Sequence, residues 1–226
     1  KPDSLFICEG SIPVIPPIDG VENAVLANEV LTNKVAAKDN VVVIGGGLVG
    51  CELALHLAQN GKKVTIIEAL PDILKSGIAL PPMNEWMLRD LLAFNNVRIV
   101  GNAKVSKIGN QEIKVLQDNN EETIATEQTI VAVGYKSKHD LFDKLKNKYE
   151  VNLLDIDSLE FKEGIIISTI HMSKGLEFDE IVIPMVDTNN YKSDYDRNLL
   201  YIACTRAMHK LTLTYHDEIT EILSSI

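Results

Sequence analysis

Three glycines spaced Gly45-x-Gly47-x-x-Gly50, followed 23 residues after the first by Glu68, carry the clearest chemical signal in this 226-residue sequence. Each has a separate task in holding a dinucleotide. The first permits a tight turn, the second lets backbone approach a pyrophosphate, and the third lets a helix pack closely on a strand. A helix that begins at such a turn presents unpaired amide N–H groups and the positive end of its dipole to the phosphates. Glu68 would then accept hydrogen bonds from a ribose diol and repel a 2′-phosphate, which favours NAD(H) over NADP(H). The alternative is a glycine-rich turn that merely joins two core elements.

The flanking elements argue for the dinucleotide. Asn40 introduces the run Val41-Val42-Val43-Ile44, which has the β-branched character of a buried parallel strand. Apolar residues recur at helical spacing from Leu48 to Gln59, Asn60-Gly61 supplies a stop, and Lys63 to Glu68 reads as a second strand. Strand, turn, helix and strand form a βαβ unit. Weaker signals surround it. Asp3 to Gly10 reads as a short buried strand, Val21 to Lys38 as faintly helical, and Pro82 to Asn95 as an amphipathic helix followed by a strand at 97–100. Residues 103–118 alternate like a hairpin turning at Gly109-Asn110, Gln128 to Val133 is an apolar strand ending at Gly134, and 136–148 is a lysine-rich helical patch. Past Leu154 the expected elements are strands at 165–170, 181–184 and 211–215 and a helix at 196–207. The fold class expected is α/β, a Rossmann-type βαβ dinucleotide-binding domain followed by a small parallel-sheet fragment.

Composition narrows the remaining chemistry. With 46% hydrophobic and 24% charged residues the chain can bury a core. Its net charge of −10 opposes passive binding to nucleic acid or to an anionic membrane. Residues 155–226 are the more acidic part, with 6 basic and 13 acidic side chains. Cys8, Cys51 and Cys204 are too scattered for a metal-ligand set, so no metal is expected and a reducing, cytoplasmic compartment is. The apolar stretch 41–58 holds four glycines and Glu52, so no membrane span is expected. The opening Lys-Pro-Asp carries neither an export signal nor an initiator Met, and the sequence reads as a piece of a longer protein.

Residues 1–154 resemble the NAD-binding and FAD-type region of NADH:flavin oxidoreductases of the old yellow enzyme and 2,4-dienoyl-CoA reductase type. The resemblance is carried by DSLFICEGSIPVIPPIDG, VVVIGGGLVGCELALHLAQNGKKVTIIEALPDIL and TIVAVGYKS. It implies an FAD-type domain interrupted by an inserted NAD domain: residues 1–38 a remnant of the former, 39–134 the Rossmann domain, and 135–157 a return segment and junction. It also implies cofactor-binding roles for Gly45, Gly47, Gly50, Glu52, Glu68 and Gly134. Cys8-Glu9-Gly10 departs from the family's usual Ala-Thr-Gly. FAD is implied only together with the parent enzyme's flavin-binding domains, which would be this chain's partners. Turnover by the chain alone is not expected, because the flavin carries the hydride chemistry.

Residues 158–223 resemble a second family, the UvrD/Rep-type DNA helicases, through STIHMSKGLEFDEIVIP (motif V) and DRNLLYIACTRAMHKLTLTY (motif VI). That resemblance implies nucleotide or DNA contacts for Thr169, His171, Gly175 and Glu177, and an arginine-finger role for Arg206. No GxxxxGK[ST] loop or Walker-B carboxylate pair accompanies them, so nucleic-acid binding by the chain alone is not expected. The two resemblances meet between about Tyr149 and Ser158 without a Gly- or Ser-rich linker. The sequence therefore reads as a chimera with three functional readings: NAD(H) binding, a helicase motor fragment, or a chimera in which neither site works.

Overall fold

The computed structural model describes residues 11–77, 80–118, 120–138, 140–154, 158, 160–216 and 218–223. The strand expected at Asp3 to Gly10, the Cys8-Glu9-Gly10 departure and residues 155–157 of the junction lie outside the described residues. The chain divides into two compact units, residues 12–136 and residues 137–226.

The first unit runs β1 (Ser11–Pro13), β2 (Val25–Leu26), α1 (Ala27–Leu31), β3 (Asn40–Ile44), α2 (Leu48–Gln59), β4 (Lys63–Ile67), α3 (Pro82–Phe94), β5 (Arg98–Val100), β6 (Ala103–Ile108), β7 (Glu112–Gln117), β8 (Asn120–Ala125), β9 (Gln128–Val131) and β10 (Tyr135–Ser137). Five of these strands form a parallel sheet in the order β2-β9-β3-β4-β5. The period-two geometry of β3 sorts its side chains to opposite faces. Val41 and Val43 pack with Leu53, Ala54, Leu57, Leu88 and Leu92 of α2 and α3. Val42 and Ile44 pack with Ile108, Ile113, Val115 and Ile124 of the antiparallel meander β6-β7-β8. A near-continuous apolar strand is needed because both faces are covered.

Strand order places the site. From β3 the chain crosses through α2 to β4 on one side, whereas the neighbour on the other side, β9, arrives much later. The crevice at the carboxyl ends of β3 and β9 is thus the topological switch point, where open α/β sheets hold their ligands. Gly45 sits there.

Two local expectations differ from the structure. Val21 to Lys38 yields a 3₁₀ turn at Val21–Asn23 and the five-residue α1, because Val25 and Leu26 between them are drawn into the sheet against Ile130 and Val131 of β9. The meander gains a third strand, β8, whose polar NEETIA buries Ile124 alone and so shows no alternation.

The second unit runs α4 (Asp140–Leu145), β11 (Val151–Leu154), β12 (Ile165–Ser168), β13 (Phe178–Ile183), α5 (Asp194–Cys204) and β14 (Ala207–Leu213). Its two strand pairs, β11-β12 and β13-β14, are both parallel. β13, α5 and β14 form a βαβ unit around Ile166, Ile170, Phe178, Ile181, Ile183, Val186, Leu200 and Ala203. α5 starts two residues before Asp196 because Ser193 caps it. The Ser193 hydroxyl accepts the Asp196 N–H at 3.2 Å and the Asp196 carboxylate accepts the Ser193 N–H at 2.8 Å. Among the described residues, no helix is long and apolar enough to cross a membrane.

Candidate functional site

The turn after β3 contains four glycines whose surroundings differ sharply. Gly45 has φ +108°, and a Cβ there would lie 2.5 Å from the Ala132 carbonyl oxygen. Both facts require glycine. A Cβ on Gly50 would lie 1.9 Å from the Gly45 carbonyl oxygen, so this glycine sets the approach of α2 to the turn. Gly46, which the GxGxxG pattern leaves free, is equally confined: its Cβ would meet Ile73 Cγ2 at 2.7 Å and Glu68 at 3.1 Å. Gly47 alone is open. Its φ of −70° is ordinary, and among the described residues a Cβ would meet within 4 Å only the Ser76 hydroxyl, at 3.2 Å.

Gly47 is also the N-cap of α2, and no side chain caps that helix. The first-turn amides of Leu48, Val49 and Gly50 have no carbonyl one turn earlier to bond, by helix geometry. An open, side-chain-free backbone at a twelve-residue helix's positive end fits a pyrophosphate. Glu68 closes the turn from below. Only 7% exposed, it accepts the Gly46 N–H at 2.6 Å on one oxygen and the Leu70 N–H at 2.8 Å on the other. Each carboxylate oxygen retains a lone pair for a further donor. Its first duty is structural, because it orients the amide of the glycine beside the open one.

Cys51, fully buried on α2, points its thiol at the Gly46 carbonyl at 3.3 Å. Burial pushes this thiol up to about 12, so it is a protonated packing group rather than a nucleophile. Glu52 faces outward on α2. Gly134 lies beyond β9 with φ +101° and accepts the Val14 N–H at 2.9 Å. Ser76, Gly46 and the segment carrying Ile73 escape sequence reading, since nothing in their spacing marks them. Asp72 and Glu85 flank the guanidinium of Arg89, which holds both carboxyls below their ordinary range; at Glu85 the Lys75 ammonium is the larger cause.

The helicase-like residues of the second unit behave differently. The Arg206 guanidinium donates to the carbonyls of Ile202 at 3.2 Å and Leu176 at 3.4 Å and to the Thr205 hydroxyl at 3.3 Å. The His171 ring lies 3.0 Å from the Tyr195 hydroxyl, and the Thr169 hydroxyl accepts the Met172 N–H at 3.3 Å. Gly175 has φ +86°, and Glu177 is exposed. No group of His, Cys, Asp and Glu side chains suited to a metal ion occurs among the described residues.

Comparison with known proteins gives two family matches. Residues 1–159 match the family described as pyridine nucleotide-disulphide oxidoreductase. The chain belongs to that family. Residues 164–214 match the UvrD-like helicase C-terminal domain. A cinnamate reductase of Clostridium sporogenes is 39% identical over 145 residues, which cover 64% of this chain and 22% of that protein. An NADH oxidase of Thermoanaerobacter brockii is 33% identical over 141 residues, covering 59% and 21%. The chain thus spans about a fifth of the length of both relatives. In fold it is similar to a 2-naphthoyl-CoA reductase complex, with TM-score 0.59 at 23% identity over 74% of this chain and 23% of that one. It is also similar to a water-forming NADH oxidase of Lactobacillus brevis bound to NADH, with TM-score 0.52 at 21% identity over 73% and 38%.

Proposed function

We propose that residues 39–134 form an NAD(H)-binding domain of an NADH-dependent flavin oxidoreductase of the old yellow enzyme and 2,4-dienoyl-CoA reductase type. Residues 1–38 and the return segment 135–157 belong to its FAD-type part, and a helicase-like fragment begins near 158. The observation that carries this reading is the open Gly47 backbone at the uncapped start of α2, bounded by three glycines that the protein itself fills. The pyrophosphate lies on the amides that follow Gly47. Glu68 takes the ribose hydroxyls on its remaining lone pairs and disfavours a 2′-phosphate. Bound FAD, held by the parent enzyme's flavin domains, would supply the hydride acceptor. This chain's own residues bind and orient the dinucleotide, and the chain by itself binds without turning over. The names of the cinnamate reductase and the NADH oxidases support this reading.

A parallel titration of the chain with NADH and NADPH, followed by nicotinamide fluorescence, tests it. Preference for NADH is the expected result, and equal affinity for the two removes Glu68 from the site. A second reading rests on the match of residues 164–214: a helicase motor fragment using Thr169, His171, Gly175, Glu177 and Arg206. Titration with a labelled ATP analogue decides between the two, with no binding expected.

A further inference from the structure

We infer that Arg89 is a positioning residue for the dinucleotide turn: it holds residues 70–76 as a strap against Gly46, in a backbone conformation that the strap would otherwise relax. This rests on reading the turn as the NAD(H) site. The strap follows Glu68 on the way to α3. Its start is tied by the Leu70 N–H to Glu68 at 2.8 Å and by the Asn102 N–H to the Leu70 carbonyl at 2.8 Å. Its middle lies beneath the turn. There the Leu74 N–H donates to the Gly46 carbonyl at 2.7 Å, and fully buried Ile73 fills the space beside Gly46. Its far part carries the Ser76 hydroxyl beside Gly47.

The strap does not adopt this path freely. Leu74 has φ +59°, in a left-handed region that a leucine side chain disfavours and that persists only when its surroundings enforce it. The enforcing group is visible. Arg89, on α3, gives Asp72 a two-bond fork at 2.9 and 3.0 Å and donates to the Ile73 carbonyl at 2.8 Å, one residue before Leu74. Glu85, one helical turn earlier, steadies the same guanidinium at 3.0 and 3.1 Å and accepts Lys75 at 3.0 Å. An exposed ion pair contributes little on its own. A planar fork that also takes a backbone carbonyl fixes direction as well as distance, and a lysine cannot reproduce it. The chain of contact therefore runs from Arg89 through Ile73 and Leu74 to the Gly46 carbonyl and the backbone at Gly47.

The test uses the full 226-residue chain and the variants Arg89→Met, Arg89→Lys, Leu74→Asn and the Arg89→Met/Leu74→Asn double. Two quantities are measured: the NADH dissociation constant by fluorescence and hydrogen exchange at the Leu74 amide. Arg89→Met is expected to weaken NADH about tenfold, equivalent to one charged hydrogen-bond contribution, and to speed Leu74 exchange while circular dichroism stays unchanged. Arg89→Lys is expected to fall between the two. Asparagine tolerates positive φ, so Leu74→Asn in the Arg89→Met chain should restore affinity to within about threefold even though it removes apolar packing and lowers the melting temperature. A merely structural arginine would show the opposite: a lower melting temperature, an unchanged dissociation constant, and no rescue. Wild-type affinity in Arg89→Met, or failure of Leu74→Asn to restore it, overturns the inference and leaves the NAD(H) reading intact. Absence of NADH binding by the unsubstituted chain overturns the NAD(H) reading instead. Leu74 exchange then decides the strap alone, and an unchanged rate in Arg89→Met refutes it.

Discussion

Gly47 in the first unit and Arg206 in the second both sit in family motifs, but their surroundings give opposite accounts of what a motif retains. Around Gly47 the protein leaves no room for a side chain at Gly45, Gly46 or Gly50, while Gly47 itself faces only the Ser76 hydroxyl among the described residues, with the amides of α2 beyond it. At Arg206 the donors that a γ-phosphate would take are aimed at the chain's own Leu176, Ile202 and Thr205 oxygens. A binding turn is complete within one βαβ unit, because backbone amides and a carboxylate are all it requires. An arginine finger is one part of a site whose phosphate loop and Mg²⁺ ligands come from elsewhere. The first kind of motif keeps its backbone geometry within one unit, whereas the donors of the second are directed at the chain's own oxygens.

The sharpest way to break this comparison is to exchange the roles of the glycines. Gly50→Ala should be strongly damaging to the first unit. Its Cβ would lie 1.9 Å from the Gly45 carbonyl oxygen, a backbone atom that cannot swing aside. Alanine's helical preference offsets about 1 kcal/mol, but overpacking of this severity costs about 3 kcal/mol. Thermal unfolding should therefore shift down by several degrees or more, and an unchanged melting temperature would show that α2 does not lie against the turn. Gly47→Val is the counterpart. With φ −70° and only the Ser76 hydroxyl nearby among the described residues, the fold should hold. NADH affinity should fall about a hundredfold, because the branched side chain occupies the pyrophosphate's approach. An unchanged dissociation constant would move the dinucleotide off this turn.

Glu68→Gln comes next in size. The amide keeps the side chain's shape but loses the charge that both receives the Gly46 and Leu70 N–H groups and repels a 2′-phosphate. Charged hydrogen bonds contribute about 1.5–3 kcal/mol, so NADH should weaken by one to two orders of magnitude while NADPH weakens less. Equal loss for both would assign Glu68 to the fold alone. Arg206→Ala sharpens the other side. It should destabilise the second unit by about 1–2 kcal/mol through three lost donors and leave NADH affinity unchanged. ATP turnover by the parent chain that vanished in this variant would make the helicase reading primary.

How much of this was legible follows from the range of each interaction. The β3-α2-β4 unit and its glycines could be read because the β-branched run, the turn and the helical period are local. β11 could not. VNLL is four residues long, and its pairing with Ile165–Ser168 is a parallel contact across a crossover that no short pattern encodes. β8 was hidden by its polarity, and β2 by the faint helical pattern of Val21 to Lys38, where Val25-Leu26 instead pair with β9. In the site, GxGxxG marks Gly45 and Gly50, which meet backbone, and Gly47, which does not, but it leaves out Gly46, whose constraint is the Ile73 side chain 27 positions away. Arg89 carried a faint local signal, the i,i+4 spacing from Glu85, but nothing tied either residue to Asp72.

The smallest expected effect contrasts the two thiols. Cys51 is fully buried and held up at about 12 by burial, while half-buried Cys204 is raised by burial alone. A folded-state pKa raised above the unfolded value means that the unfolded chain loses its thiol proton first. The Cys51 contribution is therefore fully present below pH about 8.5 and is lost as pH rises from there toward 12, by about 1 kcal/mol in the first full unit. Lysine and tyrosine titrations overlap this range, so the measurable quantity is a difference. In a Cys8→Ser background, denaturant unfolding of the chain with and without Cys51→Ala at pH 7.5 and 9.5 should give curves whose stability gap changes by about that amount, with the alanine chain losing less. Alkylation adds a kinetic arm. Cys204 should react in the native state, whereas Cys51 should wait for opening of the first unit, so that its rate follows denaturant. Rapid native alkylation of Cys51 would mean that the turn above it breathes, and that the glycine cradle is less firmly held than the packing around Arg206.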